Sequence, residues 1–201
     1  MPARNIVKPY ISHAFYHVYN RGASRQTIFR DEDDYRYFLS LLREWVRSDC
    51  EKGDVTLQVI AYCLMSNHFH LVLRQLDDEH AMTRLIHAVC TKYSMYFNRK
   101  YKHSGHVFQS IYRAKHIDEE RYLLHSTRYV HLNPLRSYVF YEWSSYREYV
   151  GLEAPSDIID TSYIMDIYGT KEEYAGFVAS YVYDAVAHQI QKRELDELYI
   201  D

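Results

Sequence analysis

A chain of 201 residues, 47% hydrophobic and 25% charged, has the make-up of one folded domain with or without an appendage, which excludes disordered, collagen-like and low-complexity chains. It has no run of about 18 apolar residues, so no membrane helix is expected, and Met1 to Ile11 lacks the apolar core of a secretory signal. The net charge of −3 conceals a split: residues 1–150 hold 21 Lys and Arg against 16 Asp and Glu, whereas 151–201 hold 3 against 11. Such asymmetry suits either a basic body that meets nucleic acid or a plain solvated acidic tail. Cys50, Cys63 and Cys90 are too few and too scattered for a disulfide framework, so a reducing cytoplasm is the expected compartment.

The aromatic and β-branched segment Ala14 to Asn20 predicts a strand, broken by Arg21 to Ser24. Tyr37, Phe38, Leu41, Leu42 and Trp45 fall at helical spacing within Asp33 to Arg47, and the acids from Asp31 to Asp34 suit a helix N-terminus. Val55 to Leu64 and His68 to Gln75 predict two strands joined by a tight turn at Ser66-Asn67. Met82 to Lys100 is an amphipathic helix, with Leu85, Ile86, Val89, Tyr93 and Tyr96 on one side. Ile111 to Ile117 is the fourth strand. A helix opens at Asp118 and runs to about Leu132, because Pro134 disfavours helical geometry at Asn133. The order strand, helix, strand, strand, helix, strand is that of an α+β, ferredoxin-like split βαβ fold: an antiparallel sheet with two helices on one face and the other face open unless something covers it. Residues 1–150 form the predicted body and 151–201 an acidic extension. Lys171 to Leu198 is read as one or two tail helices, with apolar stripes at Tyr163, Ile164, Ile167 and Tyr168, then Phe177, Val178, Tyr181 and Val182. The stripes are expected to pack on the body; covering a DNA groove or forming a dimer are the alternatives.

In Ser66 to Leu73 the strand alternation points His68, His70 and Val72 one way and Phe69, Leu71 and Leu73 the other. Two neutral imidazoles side by side can chelate one divalent cation, although a histidine pair on a strand can equally be plain surface. On the last body helix, His125, Tyr129 and Asn133 share a face at spacings of four, with Tyr122 nearby. A tyrosine can attack phosphorus and form a covalent intermediate, and the Asn133 amide oxygen is a hard ligand one turn away. Among 22 tyrosines, however, any single one is a packing residue by default. His103, His106 and His116 are too loosely spaced for a zinc site; His125 and His131 flank the tyrosine, and His125, which could assist proton transfer, reads as a packing or capping residue.

Four stretches together resemble the single-tyrosine HUH transposases, specifically the REP-associated tyrosine transposase type. They are His17-Val-Tyr-Asn-Arg-Gly22, Ala61-Tyr-Cys-Leu-Met-Ser-Asn-His-Phe-His70, Gly105-His-Val-Phe-Gln-Ser-Ile-Tyr-Arg113 and Tyr129-Val-His-Leu-Asn-Pro-Leu-Arg136, in the family's order over about residues 13–150. The resemblance implies that His68 and His70 sit on a central strand as metal ligands and that Tyr129 is the nucleophile. Asn133 then stands as third ligand where transposase relatives carry Gln. It also implies Mg²⁺ or Mn²⁺ as cofactor, and cleavage and transfer of single-stranded hairpin DNA through a 5′-phosphotyrosine link. Expected DNA contacts are Arg21, Arg25, Arg74, Lys92, Arg99, Lys100, Arg113 and Lys115, for a chain acting as monomer or homodimer. Two alternatives remain: a catalytically idle hairpin-DNA-binding protein, or an HUH nickase of a replication system.

Overall fold

The computed structural model describes residues 11–51, 55–134 and 139–187, with side chains through 181. Strand β1 (Phe15–Arg21) is central and antiparallel to both neighbours, β3 (His68–Gln75) and β4 (Arg113–Ile117), while β2 (Leu57–Met65) flanks β3. The sheet order is therefore β2-β3-β1-β4. Helix α1 (Glu32–Glu51) links β1 to β2, and α2 (Ala81–Tyr101) links β3 to β4, which is the expected split βαβ arrangement.

The element ends differ from the periodicity reading for local reasons. Helix α1 runs four residues past Arg47, to where the Asp49 carboxylate accepts hydrogen bonds from Thr56 N and Oγ1 and pins the helix end to β2. Strand β4 starts at Arg113 rather than Ile111, since Ile111 projects to solvent and the Tyr112 hydroxyl is hydrogen-bonded to Thr83 on α2. Past β1 the chain turns sharply through a 3-10 turn, Ala23–Arg25. Gly22 permits that turn: a Cβ there would lie 2.2 Å from the Gln26 carbonyl oxygen and 2.8 Å from Ile28 Cγ2. Its N–H donates to Asn67 O, tying the end of β1 to the β2–β3 turn.

Phe69, Leu71 and Leu73 pack with Tyr16 and Val18 beneath Phe38 and Leu42 of α1 and Leu85, Val89 and Tyr93 of α2. Each such fully buried side chain contributes about 1.5–3 kcal/mol. The opposite sheet face, left open by the sequence reading, carries a second core. Leu123, Val130 and Leu132 of α3 (Glu120–Leu132) bury Ile60, Ala61, Cys63 and Val72. Helices α4 (Tyr146–Tyr149), α5 (Ser162–Tyr168) and α6 (Lys171–Ala187) extend this layer with Tyr149, Ile164, Tyr174 and Val178. The acidic extension thus packs on the body, as the stripes suggested. Helix α4 is four residues long and carries no periodic signal of its own. Val182 as a stripe residue, the predicted helix from 188 to Leu198, and Arg136 lie outside the described side chains or residues. Among the described residues no helix is long and apolar enough to cross a membrane.

Buried His131 ties α3 to this layer: Nδ1 lies 2.7 Å from the Tyr174 hydroxyl and Nε2 lies 2.9 Å from Ser145 Oγ. Burial pushes its pKa down to about 3. The unfolded chain binds a proton near pH 6.5 that the folded chain refuses, so stability is full above that pH and falls as the pH drops toward 3. At pH 5 the loss from this residue is about 2 kcal/mol relative to pH 7. Urea denaturation of the wild type and His131→Gln at both pH values measures it, and equal pH dependence would refute the assignment.

Candidate functional site

Strand alternation places His68 and His70 on the sheet face away from α1 and α2, over Phe69 and Leu71. The register with β1 sets Arg21 opposite His68, Tyr19 opposite His70 and His17 opposite Val72. Opposed residues of antiparallel strands share a face, so β1 adds a third imidazole. Strand β4 continues the rows, with Arg113 opposite Tyr19 and Lys115 opposite His17. One sheet face therefore gathers His17, His68 and His70 with Arg21, Arg74, Arg113 and Lys115.

Helix α3 brings two more groups to the imidazoles. The Tyr129 ring stands edge-on to His70 and His17, at centroid distances of 5.5 and 5.8 Å. One turn later, Asn133 Oδ1 lies 3.1 Å from His68 Nε2. His125, one turn earlier, does not join them: it is exposed and accepts a hydrogen bond from Arg128. Tyr122 is 42% exposed, beside Arg121.

The hydrogen bonds around the histidines define which ring nitrogens are available. Asn67 Nδ2 donates to Arg25 O, leaving Asn67 Oδ1, 2.6 Å from His68 Nδ1, as the acceptor of that nitrogen's proton. His70 Nδ1 lies 2.9 Å from His17 Nε2. His70 Nε2 is buried and meets no protein partner. Burial pulls His17 down to about 3, with Lys115 adding to it, and holds His70 well below the usual histidine value, with His17 and His68 adding. Burial also lowers His68; the Asn133 hydrogen bond opposes this and Arg21 reinforces it. All three rings are therefore neutral near pH 7, the form that ligates metals.

His68 thus faces Asn67 Oδ1 with Nδ1, at 2.6 Å, and Asn133 Oδ1 with Nε2, at 3.1 Å. A ring nitrogen and an amide oxygen this close could both bind one divalent cation. Among the described residues no three His, Cys, Asp or Glu are grouped for a metal. The fitting donor set is instead His68 Nε2, the unpartnered His70 Nε2 and the Asn133 amide oxygen.

A cleft of about 200 Å³ opens beside His68 and His70, walled by Tyr19 and rimmed by Arg21, Arg25 and Arg113. Arg21 Nε is buried there without a protein acceptor. Lys115 is exposed on the edge strand. Arg74 shares the face, yet its guanidinium is stacked 5.4 Å from both Phe15 and Tyr163, under α5. Lys92, Arg99 and Lys100 lie on α2, across the sheet from the imidazoles. Lys92 pairs with Glu44, and Lys100 with Asp31 and buried Asp34, so these two cations join α2 to α1. The sequence reading quoted His17 without giving it a role. The available signal was the alternation His17-x-Tyr19-x-Arg21, which mirrors His68-x-His70.

Residues 10–139 match the sequence profile of the family described as Transposase IS200 like. The chain belongs to the IS200-like transposase family. The matched span contains every group of the site, from His17 to Asn133. This family member is similar in structure to a REP-associated tyrosine transposase bound to a REP hairpin, with a TM-score of 0.60 at 14% identity, over 79% of this chain and 94% of that one. At that identity the likeness establishes the shared fold. A candidate transposase from Deinococcus radiodurans gives a TM-score of 0.42 at 16% identity, over 60% of this chain and 91% of that one. No curated protein matches the chain.

Proposed function

We propose that this transposase-family chain cleaves and rejoins single-stranded hairpin DNA through a 5′-phosphotyrosine link, with Tyr129 as nucleophile. The observation that carries the reading is the convergence on one imidazole pair of two α3 residues a turn apart: Tyr129 against His70 and Asn133 against His68. The Tyr129 oxygen forms a bond to phosphorus while the bond from phosphorus to the 3′-oxygen breaks, and the phenol proton ends on the departing 3′-hydroxyl. The bond energy stays in the phosphotyrosine, so attack by a 3′-hydroxyl reseals the strand without ATP. His68, His70 and Asn133 would hold Mg²⁺ or Mn²⁺, which when bound supplies polarisation of the scissile phosphate. Arg21, Arg25 and Arg113 bind backbone phosphates around the cleft and Lys115 extends that track. Tyr19 offers a ring on which an unpaired base stacks. Because nucleophile and imidazoles belong to one chain, a monomer carries a complete site. The free cysteines suit a reducing cytoplasm.

The test is a denaturing gel of protein incubated with single-stranded DNA hairpins, with Mn²⁺ or with chelator. A metal-dependent band of protein bearing DNA is expected. Salt-sensitive binding without any band would leave only the idle hairpin binder. Arg113→Ala should weaken hairpin binding by a similar factor on every sequence and lower the slope of log affinity against log salt by about 1. An unchanged slope removes Arg113 from the phosphate track.

A further inference from the structure

We infer that His17 is a positioning residue, whose Nε2 accepts a hydrogen bond from His70 Nδ1 and so keeps the His70 Nε2 lone pair available to a cation. The inference rests on the reading of His70 as a ligand and adds the group that makes it one. The two nitrogens are 2.9 Å apart, and the rings are nearly parallel, at 11°. His17 is 0% exposed and His70 2%, so water does not compete for this bond. Tyr19 lies 5.3 Å from His17 and 5.7 Å from His70, and Tyr129 meets both edge-on, so aromatic walls hold the pair in place. Within these walls the two tautomers are linked, because a proton on His70 Nδ1 requires a bare His17 Nε2.

The neighbouring histidine shows the same plan. Asn67 Oδ1 lies 2.6 Å from His68 Nδ1, on the far side of the ring from the Nε2 that faces Asn133. Each imidazole of the pair thus has its own acceptor behind it, Asn67 from the β2–β3 turn and His17 from β1. The opposite polarity at His70 would place the proton on Nε2 and take away the electron pair that a cation uses. Outer acceptors of this kind fix tautomer and ring orientation, and their loss costs about 10–100-fold in metal affinity.

Two measurements on the full chain test the inference without reading catalysis. Long-range ¹H–¹⁵N NMR of the metal-free wild type reports the His70 tautomer directly. A proton on Nδ1 with bare Nε2 is expected, and a proton on Nε2 would overturn the inference. Mn²⁺ titration followed by electron paramagnetic resonance then compares the wild type with His17→Ala and His17→Gln. We expect about 10–100-fold weaker Mn²⁺ binding in His17→Ala, and partial recovery in His17→Gln, whose amide oxygen can accept the same proton. Equal affinity in the wild type and His17→Ala would refute the role of His17 while His70 stands as a ligand. A wild type that binds no Mn²⁺ would remove the ligand reading itself. If His17→Ala does not fold, the wild-type tautomer still decides.

Discussion

Tyr129→Phe is expected to abolish the covalent protein–DNA band. The substitution removes only the oxygen that would bond to phosphorus and keeps the ring that packs edge-on against His70 and His17, so the fold and the imidazole pair persist. Loss of a nucleophile removes the covalent route altogether, and the expected fall in cleavage is on the order of 10³-fold or more. Hairpin affinity in chelator should stay within about threefold of wild type, because the phosphate contacts assigned to Arg21, Arg25 and Arg113 are untouched. A denaturing gel with Mn²⁺ gives the first result and a filter-binding titration the second. A band that survives would move the nucleophile to Tyr122, the exposed tyrosine two turns earlier on α3.

The second large effect comes from the imidazole pair. His68→Ala deletes one of the two ring donors and leaves Asn133 Oδ1 without its neighbour. Cleavage should fall by about 10²–10⁴-fold at fixed Mn²⁺, with part of the loss recovered as Mn²⁺ is raised, since weakened occupancy is a mass-action effect. His70→Ala should lower cleavage at least as far, and it also opens a cavity in a buried position. Asn133→Ala removes the one oxygen donor and should cost less, about 10-fold. Single-turnover cleavage against Mn²⁺ concentration reads all three variants. Wild-type rates with unchanged metal dependence in His68→Ala would show that the donor set has been misassigned.

The sheet and its two covering helices were legible because each element carries its own periodicity. The alternation of His68 and His70 against Phe69, Leu71 and Leu73 survives folding intact, and the spacing of four on α3 brings Tyr129 and Asn133 to the same imidazoles. What stayed hidden depends on contacts between distant segments. The alternation His17-x-Tyr19-x-Arg21 puts these side chains on one face, but that His17 stands opposite Val72 and beside His70 is a matter of strand register. Likewise Lys92 and Lys100 read as cations awaiting a polyanion, until Glu44 and Asp34 of α1, with Asp31 just before it, meet them across about fifty to seventy residues of sequence. The periodicity of α3 gave its face correctly but not its reach, so His125 was placed with Tyr129 although it turns to Arg128 and Phe177.

Helix α3 shares a buried core with its own β2 and β3, and His131 fastens it to Tyr174 of α6. On the proposed function, a DNA end joined to Tyr129 would stay anchored to the sheet that carries the imidazoles, and its passage to another strand would depend on the arrival of DNA rather than on movement of α3.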